Sequence, residues 1–291
     1  MAAKPIVVAT DGSEHALRAV EWAALESVLR GAPLRIVSAA AMLPRMMAGQ
    51  GGAGVDTVAG VLGRNRDQAL AAAAARAAAV APGLVTGTGD LTGQPAQAVA
   101  GSGSGALMLV VGSRGAGAFT ALVLGSVSRY AASRASCPVV VVRDVPPSPH
   151  RHVGVGLGDL ADCDGALTFA FEEAAQRNAS LTALHAWDAP QADISRAGES
   201  FTAPGLQHGG EEAGRQLRAL LDSWRAKYPD VKVSQDVVHG HPARALVGLS
   251  ARADLVVIGR HARHAGLPGP GAVRHAVLNH AHGPVAIVPS A

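Results

Sequence analysis

Gly112, Gly115, Gly125 and Ser126 stand in the order G-x2-G-x9-G-S directly after the apolar run Ala106 to Val111. That spacing suits phosphate chemistry. A strand that empties into a glycine-punctuated loop leaves main-chain amides open to an anion, because glycine accepts positive φ and has no Cβ to hold the ligand off. Gly125 and Ser126 then open a helix-compatible stretch, VSRYAASRAS, whose first amides and dipole face negative charge. A nucleotide is the expected ligand class. The same glycines would also serve ordinary turns, so the loop by itself does not decide between the two.

A partner for the loop lies at the other end of the same half. The segment PIVVATDGSEHALRAVEWA reads as a buried strand over Ile6 to Ala9, a tight turn at Thr10-Asp11-Gly12, and a helix capped by Ser13 with Leu17, Val20 and Ala24 on its apolar face. Parallel strands end on one rim, and ligands of open α/β sheets sit there. Asp11 and the Gly112 loop are therefore expected to converge, with Asp11 accepting from ribose hydroxyls or, alternatively, closing an Asx-type turn. Ser126 could serve a phosphate oxygen or cap its helix, and Arg114 could pair a phosphate or face solvent.

These residues need a frame, and the sequence supplies it twice. Strands are expected near 5–10, 34–40, 84–90, 106–112 and 138–143, with helices near 13–30, 64–80, 94–103 and 126–136. The second half repeats the order: HVGVGLGD for the first strand and turn, GHPARALV for GQPAQAVA, DLVVIGR for LMLVVGSR, and GPVAIVPS for CPVVVVRD. Three prolines between Asp144 and Pro149 can continue neither strand nor helix, which puts the boundary there, with repeats at 1–146 and 147–291. Helices between strands favour a five-stranded, mostly parallel sheet sandwiched by helices in each repeat, an α/β fold. Gly49 to Gly54 and Ala189 to Gly210 are expected to be irregular, and the closing segments PVVVVR and PVAIVP to be edge strands.

Composition sets limits. Hydrophobic residues make up 48% but aromatics only 3%, and the formal charge of +3 forms no basic run, so nucleic acid is not an expected partner. Cys137 and Cys163 fall in different halves without metal spacing, as in a reduced, cytoplasmic compartment. Met1 to Pro5 is too short for a signal segment, and the Ala-rich stretch before Pro82 is broken by Arg76, so no membrane association is expected. The seven histidines from His239 to His282 make no tight metal pattern and read as loop or surface residues. His15 reads as an exposed first-turn side chain rather than a general base, and no Lys precedes Ser126 as a Walker loop would need.

Together, VVATDGS, GQP, VVGSRGAG, the nine-residue interval, GSVS and CPVVVVR resemble the universal stress protein family, and the duplication resembles its tandem two-domain members. The resemblance covers nearly the whole chain. It implies the adenine nucleotide α-hydrolase-like fold and membership of the ATP-binding branch, with ATP, with or without Mg2+, as the ligand. Carried onto this sequence, it implies that Ala9, Thr10 and Asp11 line the adenosine end, with Asp11 on the ribose, and that Ala39 touches adenine. Gly112, Arg114, Gly115, Gly125, Ser126 and Val127 would surround the phosphates.

The second repeat departs from this signature. Gly259 and Gly271 remain, but Ala262 and Ala272 replace the second glycine and the serine, the interval is one residue shorter, and Gly158 falls at the position of Asp11. Its site is expected to be empty or much weaker, although Asp159 could slide into the aspartate's role and Arg260, His261, Arg263 and His264 could hold an anion. The expected function is an ATP-binding stress-response protein, not an enzyme, forming a homodimer or a pseudo-dimer of its repeats. Two alternatives stand beside it: a slow nucleotide hydrolase or nucleotidyl-transfer enzyme, and a structural assembly module with a vestigial pocket.

Overall fold

The computed structural model describes residues 3–39, 53–115, 124–145, 148–187, 203–260 and 271–290, with 53–62 and 203–208 described by their backbone alone. The chain divides into two compact units, Met1–Val145 and Pro146–Ala291. In the first unit the order is β1 (Ile6–Ala9), α1 (Glu14–Arg30), β2 (Leu34–Ala39), α2 (Ala53–Val80), β3 (Thr86–Leu91), α3 (Pro95–Ser102), β4 (Met108–Gly112), α4 (Ser126–Arg134) and β5 (Val139–Val142). In the second it is β6 (His152–Leu157), α5 (Asp164–Gln176), β7 (Ser180–Trp187), α6 (Ala203–Lys227), β8 (Val233–His239), α7 (Pro242–Ser250), β9 (Leu255–Gly259), α8 (Ala272–His280) and β10 (Val285–Val288).

Strands of the first unit run in the order β3-β2-β1-β4-β5, and those of the second in β8-β7-β6-β9-β10. Every pairing within those orders is parallel. The apolar runs explain this: β4 and β5 are buried along their whole length, as strands covered on both faces must be. Right-handed crossovers put α1 and α2 on one face and α3 and α4 on the other, because the chain reverses direction across the sheet after β3. The reversal opens a crevice between the carboxyl ends of β1 and β4, which pair from Ile6 with Met108 to Ala9 with Val111.

Helix ends follow local rules. Ser13 caps α1 by accepting from the Ala16 amide at 3.4 Å, and Gly31, at φ 60, turns the chain out of it. Asn178, at φ 48, does the same after α5. Each first helix carries an interior ion pair at i,i+4: Glu26, 2% exposed, accepts from Arg30 Nε at 2.5 Å, and Glu173 pairs with Arg177 in the second unit.

Two helices begin earlier than the glycine pattern predicts. α2 extends back to Ala53, through Gly54, Gly60 and Gly63, although glycine costs about 1 kcal/mol per residue in a helix. α6 begins at Ala203, inside the stretch expected to be irregular, and a reason is visible at Gly209. A Cβ there would stand 2.5 Å from the Trp187 ring, so glycine is what lets the helix pass the indole. The remainder of both expected irregular stretches, 49–52 and 189–202, lies outside the described residues, as do Phe119, Leu122 and Val123 of the phosphate-loop interval.

Among the described residues no helix is long and apolar enough to cross a membrane, and no group of three metal-ligating side chains occurs. Both cysteines are buried and unpaired with each other. Burial and then the carboxylates of Asp164, Asp159 and Asp162 push the Cys163 thiol up to about 11. In the native protein at pH 8, Cys163 is therefore expected to react with Ellman's reagent about a hundredfold more slowly than an ordinary thiol, with full reactivity after denaturation. Peptide mapping of the native reaction checks this, and rapid native labelling at Cys163 would contradict it.

Candidate functional site at the carboxyl rim of the first unit

The turn after β1 is held by its own side chains. Thr10 continues the ladder, its amide donating to Val37 O at 2.9 Å, and its Oγ1 accepts from the Gly12 amide at 3.1 Å. Gly12 takes φ +81, which L side chains resist, and α2 presses close: a Cβ on Gly12 would lie 3.1 Å from Ala69 Cβ. Asp11 Oδ1 accepts from the Ser13 amide at 3.0 Å and from Ser13 Oγ at 2.6 Å, the Asx-type turn. The carboxylate is exposed, and its other oxygen lies against the loop: a Cβ on Gly115 would stand 2.5 Å from Asp11 Oδ2. Residues far apart in sequence thus meet at one rim.

The loop after β4 is tied at both ends. The Ser113 amide donates to Val142 O at 2.8 Å, and the Gly125 amide donates to Ser113 O at 2.9 Å, so the chain leaves and re-enters at one point. Ser128 Oγ donates to Gly112 O at 2.6 Å and locks the start of α4 onto the end of β4. Gly112 is in contact with the first turn of α1, since a Cβ there would sit 2.8 Å from His15 O and 3.1 Å from the Ala16 amide nitrogen. Gly125 is the N-cap of α4 and makes no side-chain cap bond, while Ser126 and Val127 are the first helical residues. The cap role considered for Ser126 thus falls to Gly125, because the strand-like ψ of 149° that a cap needs occurs one residue earlier, and the Ser126 side chain is exposed.

Each expected site residue has a definite place. Ala9, Thr10 and Asp11 end β1, and Gly112, Arg114 and Gly115 follow β4. Gly125, Ser126 and Val127 open α4, and half-buried Ala39 ends β2 two residues beyond the Ala9–Val37 pairing, beside the Asp11 turn. The structure brings Asp11 to Gly115, and a Cβ on Gly125 would lie 3.6 Å from Arg114 Cα and from Ser113 O. Ala39, at the end of β2, is separated from the glycine loop after β4 by the intervening β1. At that end Arg66 of α2 pairs with Asp90 of β3 at 3.0 Å and walls the rim.

Three further groups stand at the rim, and one of them departs from its expected exposure. His15 is half-buried, not exposed, and its Nδ1 is shielded without a hydrogen-bond partner. Its pKa is lowered below the usual 6.5, first by burial and then by the guanidiniums of Arg114, Arg18 and Arg143, while Asp144 opposes them. The Ser113 hydroxyl is likewise buried and unpartnered. Burial and Arg114 lower the pKa of Arg143, the residue that follows β5. The signal for Arg143 was present in the sequence, since a residue immediately after a buried parallel strand must emerge at the carboxyl rim.

The second unit builds the rim differently. Its register, Val153 with Leu255 as Ile6 with Met108, places Gly158 where Asp11 stands. Asp159 takes over the local turn, accepting from the Ala161 amide at 2.9 Å. Arg274 occupies the place of Ser128, its guanidinium donating to Arg260 O at 3.1 Å and lying 3.1 Å from where a Gly271 Cβ would stand. Burial and then Arg260 lower the pKa of Arg274. A guanidinium thus fills ground that a hydroxyl holds in the first unit. Ala262, His261, Arg263 and His264 lie outside the described residues.

The family model of the universal stress protein family matches residues 2–143 and 149–289. Universal stress protein Rv2005c of Mycobacterium tuberculosis is 35% identical over 298 residues, covering 97% of this chain and 96% of that protein. Universal stress protein Rv1996 of the same species is 33% identical over 307 residues, covering 97% and 94%. Among solved structures, a universal stress protein from Archaeoglobus fulgidus DSM 4304 superposes with a TM-score of 0.68 at 18% identity, covering 99% of each chain, a likeness of fold alone. A universal stress protein in complex with cAMP matches 49% of this chain and 98% of its own at 27% identity, with a TM-score of 0.38.

Proposed function

The chain belongs to the universal stress protein family, and on that premise we propose that its first unit binds ATP at the carboxyl rim, as a regulatory ligand of a cytoplasmic stress-response protein. The observation that carries this reading is the meeting of Asp11 with Gly115. It puts a carboxylate suited to ribose hydroxyls beside a glycine loop whose main chain an anion can approach. The residues present fit the nucleotide. Gly112 and Gly115 carry no Cβ where one would crowd His15 O and the Asp11 carboxylate, α4 begins at Gly125 with its amides open, and Arg114 supplies a guanidinium. Asp11 would hold the ribose, Ala39 would flank the base, and Gly112 to Gly115 with Gly125 to Val127 would hold the phosphates.

In this reading ATP is retained and not turned over. Binding ties the β1 turn to the β4 loop, and the stabilisation grows with free nucleotide concentration relative to Kd. The second unit, with Gly158 for Asp11 and the Arg274 guanidinium beside its helix start, contributes no comparable site. Mass spectrometry of ligand released on denaturation is expected to find intact ATP. Recovery of ADP or AMP with turnover that disappears in Asp11→Ala would favour a hydrolase or nucleotidyl-transfer enzyme, and an empty protein a vestigial pocket.

Calorimetry gives the sharper test. Gly115→Ala places a methyl group against the Asp11 carboxylate and is expected to weaken ATP about 10- to 100-fold, the scale of one lost charge-assisted hydrogen bond. Titrations with and without Mg2+, and with cAMP in place of ATP, define the ligand. Equal ATP affinity in wild type and Gly115→Ala would refute the loop assignment. Dimer formation through the closing strands belongs to the same reading, and a monomer by light scattering with and without ATP would remove it.

A further inference from the structure

Two residues that flank Gly112 carry shielded polar side-chain atoms without hydrogen-bond partners: His15 Nδ1, on the first turn of α1, and Ser113 Oγ, on a residue 1% exposed. A buried polar group left unpaired costs about 1–3 kcal/mol, so such pairs call for a ligand or a compensating role. The two stand at the loop itself. The His15 carbonyl is in contact with the Gly112 backbone, and Ser113 lies between Gly112 and Arg114. Charged groups act on the imidazole from its own helix, from the loop and from the segment after β5. Arg18 comes from its own helix, Arg114 from the loop, and Arg143 and Asp144 from the segment after β5, with Asp144 already paired to Arg18 at 3.1 Å. Three guanidiniums against one carboxylate make this corner a place for negative charge.

We propose that His15 is a positioning residue for the phosphate end of the nucleotide, taking up a proton when an anion settles on the Gly112 loop and so coupling binding to pH. The inference rests on the nucleotide reading of the same rim and deepens it. Without ligand the imidazole is neutral near pH 7, because burial and three cations disfavour its charged form. A phosphate adds negative charge beside it and raises its pKa, so the bound state carries more protons than the free state. Affinity contributed by this group therefore strengthens as pH falls through the bound-state pKa, by up to about tenfold per pH unit, and levels off below the free-state pKa, which lies under 6.5. ATP itself gains a proton in the same range and weakens binding, so the contribution of His15 is a difference between wild type and variant.

The test is calorimetry of ATP binding at pH 6.5 in MES and in Bis-Tris, whose different ionisation heats report the protons taken up per ATP. Wild type is expected to take up measurably more protons per ATP than His15→Gln. An identical proton count in the two, with ATP bound by both, overturns the proposal and leaves the nucleotide reading standing. Absence of ATP binding in wild type overturns both. Should His15→Gln fail to fold, the wild-type imidazole, assigned by NMR through its own backbone, must titrate at higher pH with saturating ATP than without it. An unmoved titration overturns the proposal by that route.

Discussion

Alanine at position 112 is expected to damage the first unit severely, while alanine at the matching position 259 leaves the second unit nearly unchanged. Gly112 and Gly259 end equivalent strands and open equivalent loops, so sequence alone would treat them alike. Their surroundings differ. A Cβ on Gly112 would stand 2.8 Å from His15 O and 2.9 Å from His15 C, closer than real Cβ atoms come, and both are backbone atoms of a capped helix that cannot swing aside. Among the described residues nothing lies within 4 Å of where a Gly259 Cβ would be. Gly112→Ala must therefore lever α1 off β4, at a cost of about 3 kcal/mol, the upper range for overpacking, and it opens the rim on which Asp11 and Gly115 meet. A fall of about 6–12 °C in Tm and loss of measurable ATP binding are expected, with Gly259→Ala within about 2 °C of wild type. Scanning calorimetry with an ATP titration checks both. Equal losses in the two variants would show that the glycines serve the turn alone.

Removing Glu26 or Glu173 is expected to cost about 3–5 kcal/mol each. These carboxylates sit on the inner side of α1 and α5, paired with Arg30 and Arg177 four residues on, at 2% and 0% exposure. Truncating either to alanine takes the i,i+4 carboxylate from a guanidinium that is largely withdrawn from water, so the loss includes part of the desolvation cost of that charge as well as the attraction. Glu212 of α6 offers the contrast. It pairs with Arg215, three residues on in the same helix, but in open solvent, and Glu212→Ala should leave the unfolding curve unmoved. The double change Glu26→Leu with Arg30→Leu should recover most of the loss, because two apolar side chains of similar volume bury well. Urea unfolding of the five proteins decides it, and a small effect of Glu26→Ala would mean that Arg30 is satisfied without Glu26.

Much of the fold was legible in the sequence because its signals are local and repeated. The buried valine runs predict parallel strands, Ser13 and Gly31 bracket the first helix, and the second half restates the first closely enough to give the architecture. The missed boundaries have a common cause. α2 and α6 run through glycines that argue against helix, and the sequence offers no sign that Gly209 is small because Trp187 lies beside it. The Glu-x3-Arg spacing of both first helices is plain to read, but spacing cannot tell an interior pair from a solvated one.

For the candidate site, residue types and their order along the chain single out the glycines and Asp11 and predict one rim for them, since parallel strands end together whatever their separation in sequence, while Arg114 entered through the family resemblance. Only the folded chain decided how those residues stand to one another. It put the Asp11 carboxylate against Gly115, shielded His15 Nδ1 and Ser113 Oγ from water, and set the Arg274 guanidinium where the first unit has Ser128. Those outcomes depend on which side chains share a few cubic ångströms at the end of a sheet. Spacing along one chain fixes the rim on which a residue emerges, and packing between elements fixes what it meets there.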